Sequence, residues 1–102
     1  MTDNEVELEV QAKGLTTAPR LTPKDIDAAI DGEGYTVLPD QRTTVCMLVL
    51  QNGFTVTGIS SVISKENFDQ ELGRKIARAK AIDKVWELEA YLLQDKIHKG
   101  KQ

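Results

Sequence analysis

The residues best suited to bind a charged ligand form a basic cluster late in the chain: Arg74, Lys75, Arg78, Lys80 and Lys84. Spacings of three and four residues bring side chains to one side of a helix, so several cations can contact one phosphate or acidic surface. The cluster thus predicts a site for a nucleotide, nucleic acid or acidic partner. The alternative is a solvated helix face in which Glu71 pairs with Lys75. Runs of charged residues on helices more often form such solvated faces than binding sites.

Other residues near this cluster extend the candidate binding set. Lys75 falls inside an apolar arc of the predicted helix, where a lysine needs a partner such as Glu71 or must reach the edge of the arc. Glu89 borders the same arc, and Tyr91 lies off it, where its ring can stack on a base or dock a partner. The candidate binding residues are Arg74, Lys75, Arg78, Lys84, Glu89 and Tyr91.

Catalytic and metal-binding chemistry has little support in the sequence. Cys46 is the single cysteine and His98 the single histidine, so a disulfide within the chain is ruled out and a zinc site would need carboxylates. Cys46 lies in an apolar run and is interpreted as a small hydrophobic residue. We therefore predict a protein that is not an enzyme, with no catalytic residues, no metal site and no cofactor.

Composition restricts the protein class further. The 102 residues are 40% hydrophobic and 28% charged, which is typical of one small globular domain. The net charge of -3 argues against non-specific DNA wrapping, which requires many cations. The sequence has neither an apolar run long enough for a membrane helix nor a signal-peptide pattern. These features predict a cytoplasmic protein that does not contact a membrane.

The strongest structural signal is a β-hairpin at about 43–60. The apolar run 45–50 (VCMLVL) precedes Asn52-Gly53, which favours a type I′ turn, and 54–57 (FTVT) forms the return strand. A two-residue loop pairs Gln51 with Phe54, Val49 with Val56, and Met47 with Gly58. One face then carries Val45, Met47, Val49, Phe54 and Val56, and the other carries Cys46, Leu48, Leu50, Ile59 and two threonines. Because both faces are apolar, the second must be covered by the N-terminal segment or another chain.

Helices are predicted on both sides of this hairpin. Thr22, Pro23 and Asp25 begin a short helix at about 23–31, which Gly32 and Gly34 end. A short strand is possible at 35–38 before Pro39. Ser64 begins a long helix at about 65–97. Its apolar arc, expected to face the core with Trp86 at its centre, contains Phe68, Leu72, Ile76, Ala79, Ile82, Trp86, Ala90, Leu93 and Ile97. Val85 and Leu92 widen this arc towards one side in its second half.

The length of the last helix predicts self-association. A straight helix over 65–97 spans roughly 50 Å, whereas a domain of 100 residues has a radius of gyration of only about 13 Å. The helix must therefore break, with 81–83 as a possible position, or project and pack on a second copy. Together with the two apolar faces of the hairpin, this predicts a homodimer.

The N-terminal twenty residues are treated separately from a single α+β domain at 21–102. Val6, Leu8 and Val10 alternate with Glu5, Glu7 and Glu9, which is the period of a strand, although a disordered acidic tail fits equally well. The predicted fold class is α+β, with an antiparallel sheet centred on the hairpin and two helices packed on it.

Several segments together resemble one known family. They are 21–23 (LTP) with Asp25-Ile26, 46–58 (CMLVLQNGFTVTG), 66–69 (ENFD), 73–78 (GRKIAR), and then Ala81, Lys84, Trp86, Leu88-Glu89 and Tyr91-Leu92-Leu93. In these segments the chain resembles a family of small tailed-phage proteins, named after gene product 49 of coliphage N4 and gene product 66 of Shigella phage Sf6. The resemblance covers about three-quarters of the chain. It implies a phage or prophage origin and an intracellular setting, and it supplies no activity and no site residues.

Two functions of different classes follow as hypotheses. The first is a non-enzymatic phage accessory protein that acts by protein–protein interaction with a host or phage protein, because surplus apolar surface accompanies the lack of a catalytic pattern. The alternative is a binder of a nucleotide or nucleic acid through the basic cluster of the C-terminal helix.

Overall fold

The structure is a computed structural model that describes residues 2–16 and 18–100. Its elements are α1 (Asp3–Ala12), α2 (Pro23–Ala29), β1 (Ile30–Val37), β2 (Thr43–Leu50), β3 (Thr55–Ser61), a 3-10 turn (Lys65–Asn67) and α3 (Gln70–Gly100). The strands form an antiparallel sheet in the order β1-β2-β3. The core lies between α3, α2 and one face of this sheet. The predicted α+β fold with a central hairpin is therefore confirmed.

The hairpin between β2 and β3 is displaced by one residue from its predicted register. Val49 pairs with Thr55 and Leu48 with Val56, so the loop contains three residues rather than two. Gly53 alone in this loop has a positive φ, of 89°, which is typical of a type I turn followed by a G1 bulge. The Asn52 side chain accepts a hydrogen bond from the Phe54 N–H at 2.9 Å and so stabilises this turn. The predicted type I′ turn and its three residue pairs are wrong.

The register changes which side chains share a face. Val56 lies opposite Leu48 on the covered face, and Ile59 lies opposite Val45 on the other face. Cys46 and Leu48 are fully buried beneath α3, whereas Met47 is exposed on the side away from the helices. The prediction that both faces carry apolar residues holds, but Val56 and Ile59 had been placed on the wrong faces.

α3 contacts the sheet through its smallest side chains. Ala77 and Ala81 are fully buried, and the helix backbone at these residues lies directly on Gly58 of β3. A Cβ added to Gly58 would lie 2.5 Å from the backbone nitrogen of Ala81 and nearer still to the backbone oxygen of Ala77. One turn earlier in the helix, Gly73 faces the buried side chain of Thr44. Close approach of helix and sheet therefore requires residues without large side chains.

The prediction that the apolar arc of α3 faces the core is therefore wrong for most of its residues. The buried α3 residues are Ala77, Ala81, Ile82 and Val85, of which the arc contained Ile82 and, on its widened side, Val85. Leu72, Ile76, Ala79 and Ala90 are exposed. Trp86 is half-buried at the margin of the core rather than at its centre. The pattern of large residues misidentified the buried face because the sheet leaves room only for alanine and glycine beneath much of the helix.

α3 begins later than predicted and runs without a break. Asp69, rather than Ser64, caps it, because its Oδ1 accepts a hydrogen bond from the Leu72 N–H at 3.0 Å. The helix continues from Gln70 to Gly100, through the predicted break at 81–83. It accounts for the elongated shape of the molecule, 54 × 32 × 19 Å, and for a radius of gyration of 16.5 Å. Of the two predicted alternatives, a break in the helix and its projection from the domain, the structure shows projection.

α2 leads directly into β1. The predicted helix start at Thr22 is confirmed, and Thr22 and Asp25 form a capping box: Thr22 Oγ1 accepts from the Asp25 N–H at 3.2 Å, and Asp25 Oδ2 accepts from the Thr22 N–H at 2.8 Å. The helix ends at Ala29, and β1 begins at Ile30, five residues before the predicted strand. Gly32 and Gly34 therefore belong to the strand instead of ending the helix.

The N-terminal segment forms a helix, so the predicted strand or disordered tail is wrong for most of its length. Thr2 caps α1 by accepting a hydrogen bond from the Glu5 N–H at 3.1 Å. The glutamate, leucine and alanine residues that follow are good helix formers and outweigh the alternating pattern. Glu7 binds Arg20 through two hydrogen bonds of 2.5 and 2.8 Å. Residues 1 and 17 of this segment, and 101–102 of the predicted domain, lie outside the described residues.

Candidate functional site

A basic cleft lies between the edge strand β1 and the first turns of α3. Its volume is about 520 Å³, and it is lined by Tyr35, Asp69, Gln70, Glu71, Arg74, Lys75 and Arg78. The Arg74 guanidinium lies 5.2 Å from the centre of the Tyr35 ring, which is a cation–π distance. Three of the six candidate binding residues, Arg74, Lys75 and Arg78, are therefore brought together.

Hydrogen bonds fix the inner wall of this basic cleft. The Tyr35 hydroxyl donates to Glu33 at 2.6 Å, and Arg78 Nε donates to the other oxygen of Glu33 at 3.3 Å. The bond from Tyr35 lowers the pKa of Glu33, and Arg78 contributes in the same direction. Burial, followed by the bond to Glu33, raises the pKa of Tyr35. Glu33 is therefore an ionised acceptor and Tyr35 a neutral donor over the ordinary pH range.

Two of the three cations of the basic cleft, Lys75 and Arg78, are already paired with carboxylates. Lys75 lies 3.3 Å from Glu71, and both side chains are well exposed, at 72% and 81%. The predicted pairing with Glu71 is confirmed, but the expected placement of Lys75 among core residues is wrong. Arg78 is paired with Glu33, and Asp69 adds another carboxylate to the lining. The positive charge available to an anionic ligand is therefore much smaller than the sequence cluster indicates.

The larger cavity is a groove at the other end of α3. Its volume is about 820 Å³, and it lies between α2, the hairpin turn and the second half of α3. We call it the α2–α3 groove, and its lining includes Ala28, Ala29, Leu50, Phe54, Leu88, Glu89, Tyr91, Leu92, Leu93 and Lys96. Most of these side chains are apolar, as expected for a binding cleft.

The position of the hairpin turn defines one wall of the α2–α3 groove. The Gln51 N–H donates to the Ala29 carbonyl at 3.0 Å, and the Gln51 side chain donates to the Ala28 carbonyl at 3.1 Å. These bonds hold the turn against the end of α2. Phe54 then lies across from the helix with 56% of its surface exposed, and Leu92 is 57% exposed. Large apolar side chains at the mouth of a cavity are typical of an interaction surface.

The candidate residues are thus divided between the two cavities. Glu89 and Tyr91 line the α2–α3 groove, while Lys84 is exposed and lines neither cavity. The sequence interpretation did not select Phe54 and Leu92, which line the α2–α3 groove and are exposed. Phe54 was placed inside a hairpin face, although its position directly after Asn52-Gly53 puts it at a loop end, where side chains are often exposed.

Two further observations concern the described part of the chain as a whole. No group of three or more His, Cys, Asp or Glu side chains within residues 2–16 and 18–100 is arranged to hold a metal ion. Among the same residues, no helix combines the length and the hydropathy required to cross a bilayer.

Comparison with known proteins supports the resemblance drawn from the sequence. Neither the curated proteins nor the solved structures give a match. The model of the Phage protein (N4 Gp49/phage Sf6 gene 66) family matches residues 21–97, which include α2, the sheet and nearly all of α3. α1 lies outside the matched region. The chain therefore belongs to the Phage protein (N4 Gp49/phage Sf6 gene 66) family.

Proposed function

We propose that this protein is a non-enzymatic phage accessory protein that binds an amphipathic helix of another phage or host protein, in the cytoplasm of the infected cell. The supporting observation is the α2–α3 groove, where Phe54, Tyr91 and Leu92 expose more than half of their surfaces around an apolar cavity. One wall of this groove is a helix. A second helix can pack alongside it at an axial distance of about 8–10 Å, with its apolar residues in the groove.

Of the four charged residues that line the groove, Arg20 and Asp25 are bonded within the protein, so Glu89 and Lys96 are the two that would orient the partner helix. Glu89 and Lys96 both line the cavity, and they are seven residues apart on the same side of α3. A partner helix would carry a basic residue near Glu89 and an acidic residue near Lys96. Complementary charges of this kind fix the register of a complex and exclude the reversed orientation.

Several ionisable side chains at the two cavities are already hydrogen-bonded within the protein, and this favours binding over catalysis. Arg20 is bonded to Glu7, Asp25 is bonded to the start of α2, and in the basic cleft Glu33 accepts from both Tyr35 and Arg78. General acid–base catalysis needs a group that is positioned to exchange a proton with the substrate. These side chains are instead engaged in stabilising the protein.

Site-specific crosslinking in infected cells tests this proposal. A photoreactive residue replaces Leu92 in the groove, and a matched variant replaces Ala79, which is exposed on α3 outside both cavities. We expect crosslinks from position 92 to one recurrent segment with apolar residues at helical spacing. A synthetic peptide of that segment should bind the wild-type protein and become helical on binding. Leu92→Glu should weaken this binding by about thirtyfold, the effect of losing a contact of about 2 kcal/mol, whereas Ala79→Glu should not.

Two results would contradict the proposal. One is equal crosslinking from positions 79 and 92. The other is a recurrent segment that binds in an extended conformation or whose affinity is unaffected by Leu92→Glu.

A second candidate function rests on the basic cleft. The Tyr35 ring and three cations line one cavity there, and an aromatic ring beside cations is a common arrangement for binding nucleotides and single-stranded nucleic acid. A thermal-shift panel of nucleotides and oligonucleotides at low salt tests it, because phosphate contacts are strongest under those conditions. Arg74→Gln should abolish any shift, while Lys84→Gln, outside the cleft, should preserve it. A flat response to the whole panel would rule this function out.

A further inference from the structure

The outer edge of β3 lacks the features with which proteins usually protect an edge strand. β3 pairs with β2 alone, and this pairing is regular, without a bulge. Its seven residues, 55–61 (TVTGISS), include no charged residue and no proline. Exposed edges that lack charges, prolines, bulges and covering elements readily pair with another chain. The outer edge of β3 is therefore a candidate for strand addition.

The pairing pattern identifies the backbone groups that point outward from this edge. Just before β3, the Leu50 N–H donates to the Phe54 carbonyl at 2.8 Å. Hydrogen-bonded pairs alternate with unbonded pairs in an antiparallel ladder, so alternate residues of β3 direct their backbone groups away from β2. These residues are Thr55, Thr57, Ile59 and Ser61. Within residues 2–16 and 18–100, no backbone hydrogen bond outside the β2–β3 pairing reaches them, so an added strand could bond to them.

The opposite edge of the sheet, at β1, is protected. The β1–β2 register shifts at Asp31, which interrupts the regular pairing and places a carboxylate in the strand. The same alternation directs the backbone of Glu33 outward, and its side chain accepts hydrogen bonds from Tyr35 and Arg78. Charged side chains and irregular pairing are two of the usual means of protecting an edge. Of the two edges, β3 is therefore the one suited to binding a strand.

Two lysines of α3 lie beside the outer edge of β3. α3 rests on Gly58, and the backbone carbon of Lys80 is among the atoms nearest to that glycine. At about 100° per residue, Lys80 and Lys84 lie roughly 160° and 120° around the helix from Arg78, which faces the basic cleft at β1. They therefore lie on the flank of α3 nearest the β3 edge. Both are exposed, and neither forms an ion pair in the described part of the chain.

We propose that the outer edge of β3 binds an extended, acidic segment of another protein, which adds a fourth strand to the sheet. The backbone of this segment would bond to β3, and alternate Asp or Glu side chains on the helix side would pair with Lys80 and Lys84. The other side chains would be β-branched and would continue the uncharged face that contains Thr57 and Ile59. A segment of about seven residues, roughly 24 Å long, matches β3.

A second copy of this chain fits the edge less well. Because α3 rests on β3 at Gly58, two copies that pair their β3 edges antiparallel would bring both α3 helices together on the same side of the sheet. Neighbouring strands lie about 4.8 Å apart, whereas packed helices keep their axes about 8–10 Å apart. Lys80 and Lys84 of the two copies would also approach each other, and like charges repel. A segment without a helix meets neither obstacle.

The proposed edge is separate from both cavities. None of the outward-pointing residues of β3, and neither Lys80 nor Lys84, lines the α2–α3 groove or the basic cleft. The inference is therefore independent of the proposed helix-binding function, and either can fail without the other.

Amide hydrogen exchange resolved by NMR tests the proposal, with the blocked peptide TEVEVET as the probe. In the free protein, the N–H groups of Thr57 and Ile59 should exchange quickly, whereas those of Val56 and Gly58, which point to β2, should exchange slowly. The peptide should slow exchange at Thr57 and Ile59 by at least about tenfold and leave Val37 on the β1 edge unchanged. The basic peptide TKVKVKT is the control and should change none of these rates.

Two pairs of variants identify the contacts. Ile59→Pro removes an outward N–H and should raise the dissociation constant of TEVEVET by at least about tenfold, because proline is tolerated at such edge positions but cannot donate to an added strand. Val37→Pro makes the same change on the β1 edge and should have no effect. Lys80→Gln combined with Lys84→Gln keeps the backbone intact and should weaken binding about fivefold. Arg74→Gln combined with Lys75→Gln, the matched loss of charge at the basic cleft, should not.

Several results would overturn the inference. One is slow exchange at Thr57 and Ile59 in the free protein; if dilution abolishes it, a second copy occupies the edge instead. Another is no binding of TEVEVET up to millimolar concentration, or equal binding of TKVKVKT. A third is binding that leaves exchange at Thr57 and Ile59 unchanged or that is lost in Leu92→Glu, since the peptide would then occupy another site.

Discussion

The close contact between Gly58 and α3 gives a quantitative prediction. In Gly58→Ala, the new methyl group would lie 2.5 Å from the Ala81 nitrogen and nearer to the Ala77 oxygen. Non-bonded carbon atoms normally stay about 3.5–4.0 Å from their neighbours. Because both obstructing atoms belong to the helix backbone, no side-chain rotation relieves the conflict. The helix must lift from the sheet by roughly 1 Å or more.

The cost has two parts. Overpacking of a core typically costs about 1–3 kcal/mol. A lift of this size also weakens the contacts of Ala77, Ala81 and Val85 with the sheet, since a gap of 0.5–1 Å loses about a quarter to a half of the dispersion energy. We expect a loss of about 3 kcal/mol from a free energy of unfolding of roughly 5–15 kcal/mol. The melting temperature should fall by about 12–24 °C.

Urea unfolding followed by circular dichroism measures this loss, and Gly34→Ala is the matched control. The added methyl group at Gly34 meets nothing within 4 Å, so this variant should be as stable as the wild type or gain up to about 1 kcal/mol. If Gly58→Ala unfolds within about 0.5 kcal/mol of Gly34→Ala, α3 does not rest on β3 as described, and the explanation for its alanine-lined buried face fails.

Three further predictions concern other contacts. Arg20 lowers the pKa of Glu7 to about 2 from an ordinary value near 4.3, so the stabilisation of α1 is complete above the ordinary value and is lost as pH falls towards 2. Trp86 Nε1 donates a hydrogen bond to Asp3 of α1 at 2.9 Å, so Trp86 fluorescence should report the release of α1, and Glu7→Gln should remove the transition. The raised pKa of Tyr35 predicts that a Tyr91→Phe variant shows no phenolate absorbance at about pH 10. Phenolate absorbance at that pH would contradict the burial of Tyr35 described above. Gly73→Ala gains up to about 1 kcal/mol of helix propensity, but its new methyl group meets the Thr44 hydroxyl at 2.8 Å. Because a hydroxyl can rotate away, the unfolding free energy of Gly73→Ala should lie above that of Gly58→Ala. An equal loss in the two variants would mean that the Thr44 hydroxyl cannot rotate away.

Local signals predicted the start of α2 and the position of the hairpin. The helix start at Thr22 rests on a capping box formed by residues three apart, and such an interaction is visible in sequence because it involves only neighbours. The hairpin is equally local. Its register was missed because Asn52-Gly53 suits both a two-residue turn and a three-residue loop with a bulge, and the choice depends on where the strands pack.

The buried face of α3 depends on tertiary contact and was therefore harder to predict. Large apolar residues at helical spacing pointed to Leu72 and Ile76, which are exposed, whereas the sheet accepts Ala77 and Ala81. A glycine in the opposing strand, Gly58, is the sequence feature that could have indicated such close packing. The two cavities were difficult to predict for the same reason, because the α2–α3 groove and the basic cleft each combine residues from elements far apart in sequence.

The unbroken course of α3 has a mechanical consequence. The helix is held closely where Ala77 and Ala81 rest on Gly58, and its C-terminal end at Gly100 lies nineteen residues, or about 28 Å, beyond Ala81. A tilt of about 5° about this contact would displace that end by roughly 2.5 Å and would move the opposite end, beside the basic cleft, the other way. α3 runs past both cavities as one unbroken helix, so a tilt of this kind at the α2–α3 groove would also change the distance between Arg74 and Tyr35 in the basic cleft.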